Sequence, residues 1–90
     1  MNQERILSLL LSLAEQLDVE IREEEGDFNG GWCKIQGERY IFLNKKHNTA
    51  KKIAILGEAL SQQSLAGLYV LPAVRELLED FGKTGERGEG

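Results

Sequence analysis

Few side chains in this sequence are of the types that carry catalysis or bind transition metals. The chain has one histidine, His47, and one cysteine, Cys33. Zinc sites need several imidazole or thiolate ligands, so a single chain cannot build such a site. Cys33 lies in a predicted strand on the side of Ile35 and Phe42, a setting typical of a small buried apolar residue. These residues therefore predict neither a zinc centre nor a nucleophile.

A run of oxygen-bearing side chains lies between residues 24 and 29. Its members are Glu24, Glu25, Asp27 and Asn29. An EF-hand needs ligands spread over about twelve residues and a closing glutamate, and this run does not match that spacing. The pair Gly30-Gly31 falls far short of a phosphate-binding motif. We therefore predict no catalytic residue, no metal site and no cofactor. The alternative of a small enzyme would rest on Glu58 or Cys33.

Length and composition bound the remaining possibilities. The chain has 90 residues, 41% of them hydrophobic and 29% charged, which is typical of one small domain. A chain of this size buries only about 60–65% of its unfolded surface, so self-association would add stability. A lone cysteine cannot form an internal disulfide, and a reducing cytoplasmic compartment is the simplest expectation. The leucine run near the N-terminus is shorter than the roughly 20 residues of a membrane span, so no signal peptide and no membrane partner are predicted.

Charge is unevenly distributed along the chain. The net charge is -4, which disfavours nucleic acid as a partner. Acidic side chains dominate residues 20–27, and basic ones dominate residues 34–52. Either both segments are solvated surfaces, or they are complementary patches that steer a partner or a second copy of the chain. An anion or nucleic-acid site would use the basic patch, which consists of Lys45, Lys46, Lys51 and Lys52.

The first element is predicted to be a helix over residues 3–17. Asn2 is a good N-cap, and apolar residues recur every three or four positions after it. Leu9 and Leu11 widen the apolar arc to about 200°, roughly twice what one contact face needs. The two leucines therefore predict contact on a second side of the helix, with the body of the domain or with a partner chain.

Three strands are predicted next, over residues 19–24, 32–36 and 39–44. Gly37 and Glu38 form a two-residue connection that suits a type II′ hairpin, in which Gln36 pairs with Arg39. Strand alternation then separates two groups of side chains. The group expected to line the core is Cys33, Ile35, Tyr40 and Phe42. The opposite group is Trp32, Lys34, Ile41 and Leu43. That second group is too apolar to stay in water, and it must be covered by a helix of the chain or by a partner.

Two further helices complete the predicted fold. One spans about residues 50–63, and Gly57 within it would allow a neighbouring element to approach closely. The other begins at Pro72 and ends at Gly82. The segment between them, residues 68–70, is either a short fourth edge strand or an extended connection.

These elements predict an α+β fold in the order α-β-β-β-α-α. One three-stranded, mainly antiparallel sheet carries the hairpin, and the helices pack on it. The single domain covers residues 1–81. Residues 82–90 hold four glycines and no apolar side chain, so a disordered tail is predicted there.

About half of the chain resembles the core of a known family. The stretch from LAEQLD to LGEAL is similar to the helix–strand–strand–helix core of small bacterial zincin-type metallopeptidases of the antitoxin-degrading and stress-response kind. In that family a strand ending in asparagine precedes a helix with the motif HExxH. Here Glu58 falls at the general-base position, and Gly57 and Ser61 stand where the two histidines would be. The resemblance implies the fold and a bacterial source, and the missing zinc ligands argue against peptidase activity.

The favoured function is a non-catalytic protein-interaction module in the cytoplasm. Its partner is expected to be a second copy of the chain, as a homodimer or other homo-oligomer, or another protein. The basis is an excess of apolar surface over what one small core needs. The interaction residues are predicted to be Leu9, Leu11, Trp32, Ile41 and Leu43.

Overall fold

The computed structural model describes residues 2–87, with side chains as far as Gly82. Within that range the helices and strands follow the order expected from the sequence. They are α1 (Gln3–Gln16), β1 (Val19–Glu24), β2 (Gly31–Ile35), β3 (Glu38–Asn44), α2 (Thr49–Ser61) and α3 (Pro72–Arg87). The predicted α+β class is confirmed.

Asparagine side chains cap the N-termini of the first two helices. Asn2 Oδ1 accepts a hydrogen bond from the backbone N–H of Arg5 at 2.8 Å, and Asn48 Oδ1 accepts one from Lys51 at 2.9 Å. Each cap satisfies an N–H group that has no partner inside its helix.

The third helix is longer than predicted. It begins at Pro72 as expected, but it continues past Gly82 to Arg87. Most of the predicted tail, residues 82–87, is therefore helical. The rest of that tail, residues 88–90, lies outside the described residues.

The sheet has the strand order β1-β3-β2, so the last strand in the sequence lies in the middle. β1 runs parallel to β3, and β2 runs antiparallel to it. The sheet is therefore mixed, because the loop over residues 25–30 carries the chain across the end of β3 to its far side. The fourth edge strand considered for residues 68–70 is not formed, and those residues are an irregular connection.

The hairpin between β2 and β3 differs by two residues from the predicted register. Ile35 pairs with Glu38, so the loop residues are Gln36 and Gly37. Both have positive φ angles, 51° and 84°, as a type I′ turn requires. The prediction of a type II′ turn was wrong. Because the shift is an even number, every side chain stays in its predicted group.

The helices cover one face of the sheet, which we call the inner face. Its residues Val19, Ile41 and Leu43 are at most 3% exposed. They belong to a core shared with buried apolar side chains of α1 and α2, among them Leu10, Leu13, Leu56 and Leu60. The prediction that Tyr40 and Phe42 face this core was wrong, since they point to the opposite, outer face.

A second layer of packing joins α3 to α2. Within the described residues α3 contacts α1 and α2 and none of the strands. Gly57 of α2 is buried, and a Cβ atom built there would lie 2.3 Å from the ring of Phe81. Glycine thus lets this ring approach the α2 backbone, which confirms the close approach predicted at this position.

Asn44, at the end of β3, holds the loop that crosses the sheet. Its Nδ2 donates hydrogen bonds to the carbonyl oxygens of Gly26 and Phe28, each at 2.8 Å, and its Oδ1 accepts one from Lys46 N at 3.0 Å. Asn44 is 3% exposed. Because these carbonyls belong to a loop and not to a strand ladder, the amide supplies donors that the backbone does not.

Candidate functional site

Apolar side chains gather on the outer face of the sheet, away from the helices. They are Cys33 and Ile35 on β2 and Tyr40 and Phe42 on β3. In the register Cys33 lies beside Tyr40. Ile35 is 47% exposed, and the other three residues are half-buried. Solvent-accessible apolar surface is thus concentrated on the β2 side of this face.

The β1 side of the outer face is charged. Arg22 lies with its guanidinium carbon 5.7 Å from the ring centroid of Tyr40, which stacks on Phe42 at a centroid distance of 6.0 Å. The Nε of Arg22 donates to the carboxylate of Glu20 at 2.6 Å, and this hydrogen bond raises the pKa of Arg22 above its usual value. Charge therefore borders the aromatic pair on one side, and apolar side chains border it on the other.

A shallow aromatic hollow of about 410 Å³ opens where the crossing loop meets β2 and β3. It is lined by Phe28, Asn29, Gly30, Gly31, Trp32, Cys33 and Phe42. A Cβ atom built on Gly31 would meet nothing within 4 Å. The missing side chain at this position therefore leaves open space beside Phe42, its partner in the register.

A second hollow, which we call the edge hollow, lies between β2 and α2. It has a volume of about 130 Å³ and is lined in part by Trp32, Glu58 and Gln62. The Nε1 of Trp32 donates to the Oε1 of Gln62 at 3.1 Å, which fixes the indole against α2. Since β2 is an edge strand, this hollow adjoins the unpaired side of the sheet.

The residues considered for catalysis line three different hollows. Glu58 is exposed and lines the edge hollow, whereas Cys33 lines the aromatic hollow. His47 lines a third hollow beside Asn44 and Asp27, and its Nδ1 is buried with no hydrogen-bond partner among the described residues. None of these three hollows is lined by more than one of the three groups.

The α2 positions that match the HExxH motif are occupied by packing contacts. Gly57 faces the ring of Phe81, and the Oγ of Ser61 donates to the carbonyl oxygen of Glu58 at 2.7 Å. Among the described residues, no group of three or more His, Cys, Asp and Glu side chains is placed to hold a metal ion. α3 therefore fills the space beside the first histidine position.

The basic patch surrounds the start of α2. The Nζ of Lys52 lies 3.0 Å from the carboxylate of Glu23, so its charge is partly neutralised. Lys45 and Lys51 are exposed, and Lys46 lines the hollow beside His47. Lys45 and Lys46 follow β3, and Lys51 and Lys52 lie near the start of α2, so the four lysines lie beyond the end of β3 and not on the sheet.

The predicted interaction residues divide into two groups. Ile41 and Leu43 are 0% and 1% exposed, so they are core residues and cannot form an interaction surface. Leu9, Leu11 and Trp32 are half-buried and pack against the core. The sequence left open whether a helix of the same chain or a partner covers the side of the sheet that carries Ile41. The structure shows that helices of the same chain cover it.

The sequence did not predict exposed Ile35 or half-buried Tyr40 and Phe42 as candidate site residues. Their alternation was read correctly, but alternation alone does not tell which group faces the helices. The polar residues of β1 indicate which group faces solvent once the pairing of β1 with β3 is known. Glu20 and Arg22 share a face with Tyr40 and Phe42, and charged neighbours mark a solvent-facing side.

Another apolar groove lies on the opposite side of the helices. It has a volume of about 230 Å³ and runs between α1 and the connection that precedes α3. Leu9 and Leu13 line one wall, and Tyr69 and Leu71, which are 79% and 41% exposed, line the other. We call it the α1 groove.

Comparison with protein-family models, with curated proteins and with solved structures finds no match to this chain. Within residues 2–87, none of the helices combines the length and the apolar character that a bilayer crossing requires.

Proposed function

We propose that the protein is a cytoplasmic protein-interaction module that self-associates through strand β2. The observation that carries this proposal is that β2 forms one edge of the sheet and presents half-buried or exposed apolar side chains on both of its faces. Trp32 lies on the inner face, and Cys33 and Ile35 lie on the outer face. An edge strand with such side chains is a ready site for pairing with another chain.

Two further observations support an interaction role for the β2 side. The aromatic hollow and the edge hollow both adjoin this strand. A partner could therefore place side chains in these hollows and also form hydrogen bonds with the unpaired backbone groups of β2. Acidic residues accompany Arg22 on the β1 side of the outer face, which favours a protein partner over a nucleic acid there.

The test is the concentration dependence of the molecular mass. We expect sedimentation or light scattering to give a mass above the 10.1 kDa of the monomer as the concentration rises. The variant Ile35→Glu should shift the profile to the monomer, because a carboxylate would replace exposed apolar surface on β2. The matched control is Leu71→Glu, which makes the same change at a similarly exposed residue of the α1 groove and should leave the mass unchanged. A wild-type chain that stays monomeric at the highest concentration would refute self-association.

One observation favours a second candidate, anion or nucleic-acid binding through the basic patch. Tyr40 and Phe42 lie on the outer face and not in the core, so they are available for stacking. Such binding should weaken with salt and with the replacement of Lys45 and Lys46 by glutamate. Unchanged electrophoretic mobility of an oligonucleotide at low salt, at protein concentrations that show self-association, would remove this candidate.

A further inference from the structure

The two edges of the sheet differ in their protection against pairing. β1, with the sequence VEIREE, is charged at four of its six positions, whereas β2, with the sequence GWCKI, is charged only at Lys34. Charged side chains are a common means of preventing edge strands from pairing with other chains. β1 has this protection over most of its length, and β2 has it at one position.

We infer that the partner of β2 is β2 of a second copy of this chain, in an antiparallel pair about a two-fold axis at Cys33. This inference rests on the proposed self-association and adds its geometry. Cys33 is the central residue of the strand Gly31–Ile35, so this register pairs all five residues. Cys33 then lies opposite Cys33 of the second copy, Trp32 opposite Lys34, and Gly31 opposite Ile35. The two sheets join into one sheet of six strands.

On the outer face this register brings a protruding side chain to an open space. Ile35 is 47% exposed, and in the dimer it lies opposite Gly31 of the second copy. Gly31 has no side chain, and a Cβ atom there would meet nothing within 4 Å. The aromatic hollow around Gly31 is bordered by Phe28 and Phe42, so it offers Ile35 an apolar surrounding. Because the dimer has two-fold symmetry, this contact occurs twice.

On the inner face the same register brings opposite charges together. Lys34 of one copy lies beside Trp32 of the other, next to the edge hollow that Glu58 lines. Lys34 and Glu58 are both exposed, and neither forms an ion pair with a described residue of its own chain. The Lys34 ammonium would therefore meet an indole ring and a carboxylate, both of which attract a cation.

The interface between the two copies is small, and its size determines how stable the dimer is. A five-residue strand pair with two side-chain contacts per copy lies at the low end of specific interfaces, below about 1,200 Å² in total. The dimer therefore exchanges with the monomer, and its population depends on concentration.

The first experiment uses Cys33 as a reporter of the two-fold axis. Opposed residues of an antiparallel pair have Cα atoms about 4.5–5.5 Å apart, within the range that a disulfide spans. Diamide should join the two Cys33 thiols, taking up their two protons and two electrons to become the corresponding hydrazine. We expect a covalent dimer from the wild-type chain. The control Cys33→Ser/Tyr69→Cys, whose thiol lies at a position 79% exposed in wild type, should give much less at the same concentration.

The second experiment exchanges the charges. Lys34→Glu and Glu58→Lys should each weaken dimerisation about three- to tenfold, because each places like charges together. The double variant Lys34→Glu/Glu58→Lys should restore the wild-type dissociation constant, which separates a direct contact from a change in folding. Self-association that Ile35→Glu weakens, but that shows neither Cys33 cross-linking nor this restoration, would overturn the two-fold β2 pair and leave the proposed function standing. A chain that never associates would overturn both.

Discussion

On strand β3, Ile41 and Leu43 point to the helices and are 0% and 1% exposed, whereas Tyr40 and Phe42 point the other way and are half-buried. All four side chains are large and largely apolar. The difference lies in what covers them, since α1 and α2 pack on the inner face, whereas among the described residues the crossing loop adjoins the outer one beside Phe42. An apolar strand residue therefore contributes to the core or to the surface according to where the helices dock, and not according to its own hydrophobicity.

The largest expected effect on stability comes from truncating a side chain on the inner face, and truncation of a residue on the outer face provides the comparison. Leu43→Ala should lower the free energy of unfolding by about 2–5 kcal/mol, because it leaves a cavity in a closed core. Phe42→Ala removes a larger side chain, but its outer surface already meets solvent, so the loss should be smaller. Urea denaturation of both variants measures the two values. Equal losses would contradict the assignment of the faces.

The two arginines of the sheet provide the next comparison. Arg39, on the inner face, donates to Gln63 Oε1 at 2.8 Å and to the carbonyl oxygen of Leu17. It thereby joins β3 to the C-terminal ends of α1 and α2. Arg39→Gln should lower the free energy of unfolding by about 1.5–3 kcal/mol, since it removes hydrogen bonds from a charged donor.

The matched control is Arg22→Gln on the outer face, where the guanidinium bonds to Glu20 within its own strand. Its urea midpoint should stay at the wild-type value. A shift as large as that of Arg39→Gln would show that the outer face contributes to stability as the inner face does.

Asn44 tests the end of the outer face that the crossing loop covers. Asn44→Ala should cost about 1–3 kcal/mol, because it leaves the partly buried carbonyl oxygens of Gly26 and Phe28 without their donor. Hydrogen exchange should also accelerate in residues 25–30. Asn48→Ala, which removes only the exposed cap of α2, is a useful control and should leave exchange in that loop unchanged.

The smallest effect is expected in the second helical layer. Gly57→Ala gains up to about 1 kcal/mol in helix propensity but forces the Phe81 ring away, which costs about 1–3 kcal/mol. The net result should be a loss of about 1 kcal/mol relative to wild type. In a Phe81→Ala background the obstacle is gone, so Gly57→Ala should become stabilising. The same sign in both backgrounds would show that the ring does not limit position 57.

Much of the fold was predictable because its local signals agree. The two asparagine caps, the alternation in β1 and Pro72 at the start of α3 locate the first residues of their elements to within one residue. The position of β3 between β1 and β2 was not predictable in this way, because strand order depends on contacts between distant residues.

The candidate site was predicted less well. The groups of side chains on each side of the sheet were correct, yet the inner and outer assignments were reversed. Ile41 and Leu43 were placed on an interaction surface for that reason, and Tyr40 and Phe42 in the core. Trp32 remains a site residue because it belongs to β2 and lines the edge hollow on the inner face.

The placement of β3 has a consequence for the order in which the chain can fold. Within the described residues β1 and β2 do not pair with each other, and both bond only to β3. During synthesis, which runs from the N-terminus, β1 and β2 therefore emerge before the strand with which both of them pair. Sheet formation waits until Glu38–Asn44 has left the ribosome, and the nascent edge strands stay open to other chains until then.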